Sequence, residues 1–280
     1  MTDLTELARL IRDDSASRGQ PISKLGYFCA PFRPTQGPFT DRVIKVYRGS
    51  TDRALMARLA TCHADYVAAL HKTGVPVPQT EFHLLPEGNL EVPVIVQEAL
   101  PAESMMRPQM QAAPRDAALE LMEAAGQGIA RFWNNADQFE TRIGFHPSIR
   151  NFAVAGGQAS FFDTFPPLIH YSRPEMGRML LIFSESALMR RVGPLLRGRV
   201  TGIQDEWYSP PETLVGLVGS ACRLRPEHGE AFLAWGRDFM IREMPRWADE
   251  ALPHLQRPPR LPGYWTGMRK VLGLQGEPNV

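Results

Sequence analysis

Strand-forming runs crowd into the first hundred residues of this 280-residue chain, and helical patterns take over after about residue 104. That order does not suit an alternating parallel sheet. It suits a small β-rich unit followed by a larger helical one. Runs over about 23–30 and 41–48 flank the Pro/Gly-rich segment PFRPTQGPF, and a second pair over about 80–86 and 92–99 turns at Pro86-Glu87-Gly88-Asn89. Between the pairs, Leu55, Met56, Leu59, His63, Tyr66 and Leu70 share one helical face over about 51–73, which Gly74 ends. A further amphipathic pattern covers about 3–18. Beyond 104, helices are expected over about 113–136, 175–193, 210–223 and 227–254, with an irregular tail over 257–280. The expected fold class is α+β: residues 1–100 form a small sheet carrying one long helix, and residues 101–280 are mainly helical.

One segment breaks the helical run. Gly144–Leu168 reads GFHPSIRNFAVAGGQASFFDTFPPL, with a hairpin signal at Gly156-Gly157 and an acid, Asp163, among Phe161, Phe162 and Phe165. A carboxylate in apolar company is costly unless a metal, a donor cluster or a ligand holds it. It either caps the turn after the hairpin or serves such a partner. Asn151 lies five residues after His146 and, across the hairpin, leads back toward Asp163.

Composition narrows the partners. With 44% hydrophobic and 22% charged residues and a formal charge of +1, the chain is an ordinary globular protein and not a dedicated polyanion binder. No apolar run approaches the roughly 18–20 residues needed to cross a bilayer. The acidic start, Met1-Thr2-Asp3-Leu4-Thr5-Glu6-Leu7, resembles no secretory signal, so a cytoplasmic location is expected. Cys29, Cys62 and Cys222 have neither disulfide-framework nor metal-ligand spacing. Only four lysines occur among the 31 basic residues (Lys24, Lys45, Lys72 and Lys270), so Lys45 inside the β-branched run Val43-Ile44-Lys45-Val46-Tyr47 stands out. It is either a strand lysine with its head in water or a compact cation placed for phosphate.

Taken in order, these segments resemble the protein-kinase-like fold, in its aminoglycoside and small-molecule phosphotransferase branch. RVIKVYRG resembles the strand with the V-A-I-K lysine, VIVQEALP the hinge strand, HKTGVPVPQ the link after the long helix, HPSIRN the catalytic loop D-x-x-x-x-N, and Asp163-Thr164-Phe165 the D-F-G segment. The resemblance covers about residues 20–170. It implies a two-lobed molecule using ATP and Mg²⁺ on a hydroxylated small-molecule acceptor. Lys45, His63 and Glu98 would lie at the nucleotide, Asn151 and Asp163 at the metal, and His146 would take the acceptor's proton.

The sequence departs from the pattern at two hallmarks. His146 stands where the catalytic aspartate belongs, and His63 where a glutamate would pair with the strand lysine; each is otherwise a loop or core histidine without a chemical task. No G-x-G-x-x-G loop precedes Lys45. A pseudokinase acting as a nucleotide-binding regulator or scaffold is therefore the rival reading, and nucleotidyl transfer on the same fold a third. The basic group Arg190, Arg191, Arg197 and Arg199, and the aromatics Trp207, Tyr208, Tyr264 and Trp265, are secondary candidates for acceptor contacts, or else a solvated face and packing anchors.

Overall fold

The computed structural model describes residues 2–12, 28–184, 190 and 204–259. The fold is α+β. Three antiparallel strands, β1 (Arg42–Val46), β2 (Thr80–Glu87) and β3 (Leu90–Glu98), form a sheet in the order β1-β3-β2. The β2–β3 turn uses Gly88 at φ 61°, a left-handed conformation that glycine enters without strain. Phe32 adds an isolated bridge to Ile44 on β1.

Strand alternation gives this sheet two unlike faces. On one, Ile44, Val92, Val94, Val96 and Leu85 bury against Phe32, Phe39 and residues Leu7 and Leu10 of helix α1 (Leu4–Arg12). On the other, Lys45, Ile95 and Phe82 are register partners, so they point the same way. That second face meets helix α2 (Arg53–Lys72), where His63 packs on Phe82 with ring centroids 4.9 Å apart.

Helix α2 forms where the apolar spacing placed it. The Asp52 side chain accepts from the Leu55 N–H as its N-cap, and Gly74 at φ 82° turns the chain away after its end. Its buried face contains Met56, Leu59, His63, Tyr66 and Leu70. Polar contacts then fix it to later segments. Tyr66 Oη donates to the Gly144 carbonyl at 3.1 Å. Arg58 donates to Glu175 at 2.8 Å and to the His170 carbonyl at 3.1 Å. Asp65 meets the His170 ring at 3.0 Å.

The remaining helices are α3 (Met106–Ala112), α4 (Arg115–Ala136), α5 (Arg173–Ile182), α6 (Pro210–Leu224), α7 (Gly229–Glu243) and the short α8 (Ala248–Ala251). The α3 turn was not foreseen. The pattern over 227–254 divides because Pro245 lacks an N–H and cannot continue α7. Helix α4 is the central one, burying Met122, Ala125, Ile129 and Phe132, and close packing of α7 needs Gly126, where a Cβ would lie 2.9 Å from Phe239. The hairpin β4 (Phe152–Ala155) and β5 (Gln158–Phe161) turns at Gly156-Gly157 as its sequence indicates. Phe132 stacks on Phe145 at 4.8 Å, and Phe145 meets Phe161 at 4.7 Å, so aromatic packing sets the hairpin and the loop before it upon α4.

Among the described residues, no helix is long and apolar enough to cross a membrane. Residues 23–27 of the expected strand over 23–30, the tail beyond 259, and Arg191, Arg197, Arg199, Tyr264 and Trp265 lie outside those residues, while residues 28–30 form no strand. Arg190 donates to the Ser184 carbonyl at 2.7 Å.

Leu7 is fully buried against the sheet, so Leu7→Ala is expected to cost about 2–5 kcal/mol in urea unfolding. A loss below about 0.5 kcal/mol would mean that α1 does not dock on β1 and β3.

Candidate functional site

The second face of the sheet carries Lys45 to the β4–β5 hairpin. Its ammonium, in a side chain only 7% exposed, donates to the Phe162 carbonyl at 2.7 Å and to Gln97 Oε1 at 3.0 Å. Gln97 is held in turn, donating through Nε2 to the Thr80 hydroxyl at 2.8 Å. Register explains the trio: Lys45 opposes Ile95, Gln97 is the next residue on that face, and Thr80 lies directly across from it. Burial lowers the Lys45 pKa, and the nearby Asp163 carboxylate acts against that shift.

Sequence reasoning missed Gln97 and named its neighbour Glu98, as a residue at the nucleotide and not as a partner of Lys45. Glu98 is exposed and falls on the opposite strand face, with its backbone N–H bonded to the Gln79 carbonyl. Counting residues by twos from the Lys45 partner would have found Gln97, but the partner is known only once the strands are paired.

Asp163 follows the Lys45-bound carbonyl directly. Burial raises its pKa, against the charges of Lys45 and Arg150 and a backbone hydrogen bond from Phe165. Across the hairpin's open end, the Phe162 N–H donates to the Asn151 carbonyl at 3.1 Å, bringing Asn151 beside Asp163. Asn151 Nδ2 donates to the His146 carbonyl at 3.0 Å, which fixes the amide and leaves its Oδ1 unengaged by any described residue.

The structure corrects the expected partner of Lys45. His63 is inward and 2% exposed, as its helical position implied, but its Nε2 meets the Thr164 hydroxyl at 3.0 Å. It thus braces the residue after Asp163, while Gln97 and a carbonyl receive the lysine's hydrogen bonds. Burial, reinforced by Lys45, pushes the His63 pKa down from 6.5 to about 3, so the ring is neutral at ordinary pH.

His146 lies in a loop pressed under a one-turn segment, Glu206–Tyr208. The Phe145 N–H donates to the Trp207 carbonyl at 2.6 Å, and Gly144 permits the approach, since a Cβ there would sit 2.7 Å from that oxygen. The His146 ring packs on Trp207 with centroids 4.5 Å apart. Burial, with Arg150 adding to it, depresses the His146 pKa to about 4.

The donor set bears on Mg²⁺. Among the described residues, no group of three or more His, Cys, Asp or Glu could cage a metal. Asn151 and Asp163 lie on the two segments that the Phe162 N–H to Asn151 carbonyl bond joins, and an amide and a carboxylate there would suit an ion that keeps several waters and shares a ligand's phosphates. The pair suits a nucleotide-borne Mg²⁺ better than a dedicated metal centre.

Two outcomes test this geometry. Gln97→Leu leaves the buried ammonium short of an acceptor and should cost about 1–3 kcal/mol in chemical unfolding; a change within about 0.5 kcal/mol would show that Gln97 does not support Lys45. Because folded His63 titrates near 3 rather than 6.5, the unfolded chain binds the extra proton between those values. The contribution of neutral His63 is therefore complete above pH 6.5 and is lost as pH falls toward 3, at up to about 1.4 kcal/mol per pH unit. His63→Gln, which can still reach Thr164, should flatten the acid limb of a melting-temperature profile. An unchanged limb would place the His63 ring in contact with water.

No curated protein matches the sequence. Among solved structures, the chain is similar to WaaP in complex with acyl carrier protein, at 13% identity and TM-score 0.38 over 91% of this chain and 93% of that one. It is also similar to glucosamine kinase in complex with glucosamine, ADP and inorganic phosphate, at 13% identity and TM-score 0.32 over 90% and 75% of the two chains. Likenesses this faint leave the chemistry to the geometry above. A family model matches residues 6–276, and by that match the chain belongs to DUF6206, a family of unknown function.

Proposed function

We propose that the protein is a kinase-like phosphotransferase that uses Mg-ATP to phosphorylate a hydroxyl of a small molecule. The Lys45–Phe162 hydrogen bond carries this reading. It joins residues 117 apart in sequence and sets a buried ammonium beside Asp163. A lysine held at the mouth of a sheet face, an acid and a fixed asparagine oxygen are the parts that phosphate and its counter-ion require. The division into a sheet-bearing unit over 1–100 and a helical unit over 101–280 belongs to the same proposal, with the nucleotide between them.

In this reading Lys45 meets phosphate oxygens, while Asp163 and Asn151 Oδ1 hold the metal. Bound Mg²⁺ supplies charge neutralisation on the phosphates. Gln97 and the Phe162 carbonyl keep the Lys45 ammonium in place, and His63 keeps Thr164, and with it Asp163, from turning away. His146 is neutral at pH 7 and can take the acceptor's proton. Its pKa near 4 makes it a weak base, so its help belongs at the bottom of the usual 10²–10⁴-fold range. Transfer then depends mainly on alignment and charge.

That same weakness favours one other reading. A histidine packed on Trp207, in place of a carboxylate, suits a protein that binds nucleotide as a regulator and turns over slowly or not at all.

Mg-ATP at a hundredfold excess over Kd should stabilise the protein by about 2.7 kcal/mol, raising Tm by about 5–10 °C. Asp163→Asn should remove the Mg²⁺-dependent part, and Lys45→Met should weaken the response with or without metal. Transfer of labelled phosphate to a panel of polyols and amino sugars separates the two readings: a thermal shift without transfer supports the regulator. A melting curve unmoved by ATP, ADP and GTP, with and without Mg²⁺, overturns both.

A further inference from the structure

We propose that Arg142 and the Tyr208 hydroxyl bind the anionic group, a carboxylate or a phosphate, of a hydroxylated small molecule whose hydroxyl reaches His146. The inference rests on the phosphotransferase reading of His146 and names the class of acceptor, a polyhydroxy acid or a sugar phosphate.

The placement follows from alternation along the chain. Ile143 and Phe145 are buried in the core, where Phe145 stacks on Phe132 at 4.8 Å. The residues on either side of them, Arg142, Gly144 and His146, all meet the Glu206–Tyr208 turn. The Arg142 guanidinium carbon lies 3.3 Å from the centroid of the Tyr208 ring. A Cβ on Gly144 would lie 2.8 Å from that same ring, and the His146 ring packs on Trp207 at 4.5 Å. Alternate residues of an extended chain share a face in this way. Four extended residues span at most about 14 Å, so one small molecule can touch Arg142 and His146 together. Arg142, His146 and Tyr208 are each partly exposed, so a ligand reaches them from solvent.

The donors at this place call for an anion. Stacking on Tyr208 engages the face of the guanidinium and leaves its N–H groups, which lie in the plane, for oxygen. Arg142 Nη1 is buried without a hydrogen-bond partner among the described residues, and so is Tyr208 Oη. No described carboxylate pairs with Arg142. On the neighbouring turn, Asp205 is held by Arg173 through two bonds of 2.7 Å. Burial raises the pKa of Glu206 to about 7, so its negative charge is only partial at neutral pH. Burial also raises the Tyr208 pKa, against the pull of Arg142, which keeps the phenol a donor. A buried donor without a partner is costly, most of all on a charged group. The oxygens of one carboxylate or phosphate satisfy guanidinium and phenol together. An acceptor bearing an amine would instead meet a like charge.

The test is isothermal titration of gluconate, glucose 6-phosphate, glucose and glucosamine into the full chain at constant ionic strength. At least one of the two acids should bind about tenfold or more tightly than glucose and glucosamine. Binding of gluconate alone marks a carboxylate site, of glucose 6-phosphate alone a phosphate site, and of both a shared one. Arg142→Gln should weaken binding of the acid by about tenfold or more. Tyr208→Phe keeps the stacked ring and removes only an unpaired hydroxyl. It should bind about threefold or more weakly while its melting temperature without ligand stays level or rises; a purely structural hydroxyl would lower the melting temperature and leave affinity alone. Lys45→Met should bind the acid as wild type does. Far-UV circular dichroism reports whether each variant is folded, and Tyr208→Phe decides should Arg142→Gln not fold. Failure of both acids to bind, equal binding of glucose or glucosamine, or wild-type affinity in the deciding variant overturns the inference and leaves the phosphotransferase reading standing. Loss of acid binding in Lys45→Met puts the anion at the nucleotide site and overturns it too. The phosphotransferase reading fails separately, when nucleotides leave the melting curve unmoved, and acid binding that depends on Arg142 would then still support the anion site.

Discussion

An ammonium buried to 7% exposure must be met by acceptors, and much of the structure is arranged around meeting that need at Lys45. One acceptor, Gln97, depends on the register of β1 against β3 and on the Thr80 hydroxyl across from it. The other, the Phe162 carbonyl, depends on the hairpin being seated. The hairpin in turn depends on Phe145, Phe161 and Phe132 packing together on α4. A single charge thus links sheet, hairpin and central helix. Loss of either acceptor strands it in a medium of low dielectric, where the penalty is several times that of an exposed lysine.

The long helix α2 takes an uncharged part in this arrangement. A carboxylate on its inner face would neutralise Lys45 and leave Asp163 to other partners. An imidazole facing Thr164 does neither. Electrostatic control of the site therefore lies with residues on one strand and one hairpin mouth, and the helix contributes shape. This separation lets Lys45, Asn151 and Asp163 converge without a carboxylate on the inner face of α2.

Most of the fold could be read from local pattern. The strands over 41–48, 80–86 and 92–99, the apolar face of α2 and the Gly156-Gly157 turn are decided by neighbours a few residues away, and each formed within a few residues of its expected place. The convergence of Lys45, Asn151 and Asp163 was anticipated only through resemblance, since no local rule joins residues more than a hundred positions apart. Gln97 was missed because a one-residue change of strand register exchanges the two faces, and register is a long-range property. His63 was correctly placed inward, yet its partner was not, because Thr164 and Lys45 both lie within reach of that face. The gap between α7 and α8 was legible at Pro245 and was passed over because the apolar spacing continues beyond it.

The tethers along α2 have a kinetic consequence. Arg58, His63, Asp65 and Tyr66 fasten four positions along that helix to the Gly144–Glu175 segment before any ligand arrives. A molecule that binds beside Lys45 would therefore meet sheet, helix and hairpin already joined and need not recruit a rare closed population. Little ordering free energy is spent at encounter, so association should follow a single concentration-proportional phase, with selectivity residing in how slowly a fitting guest departs.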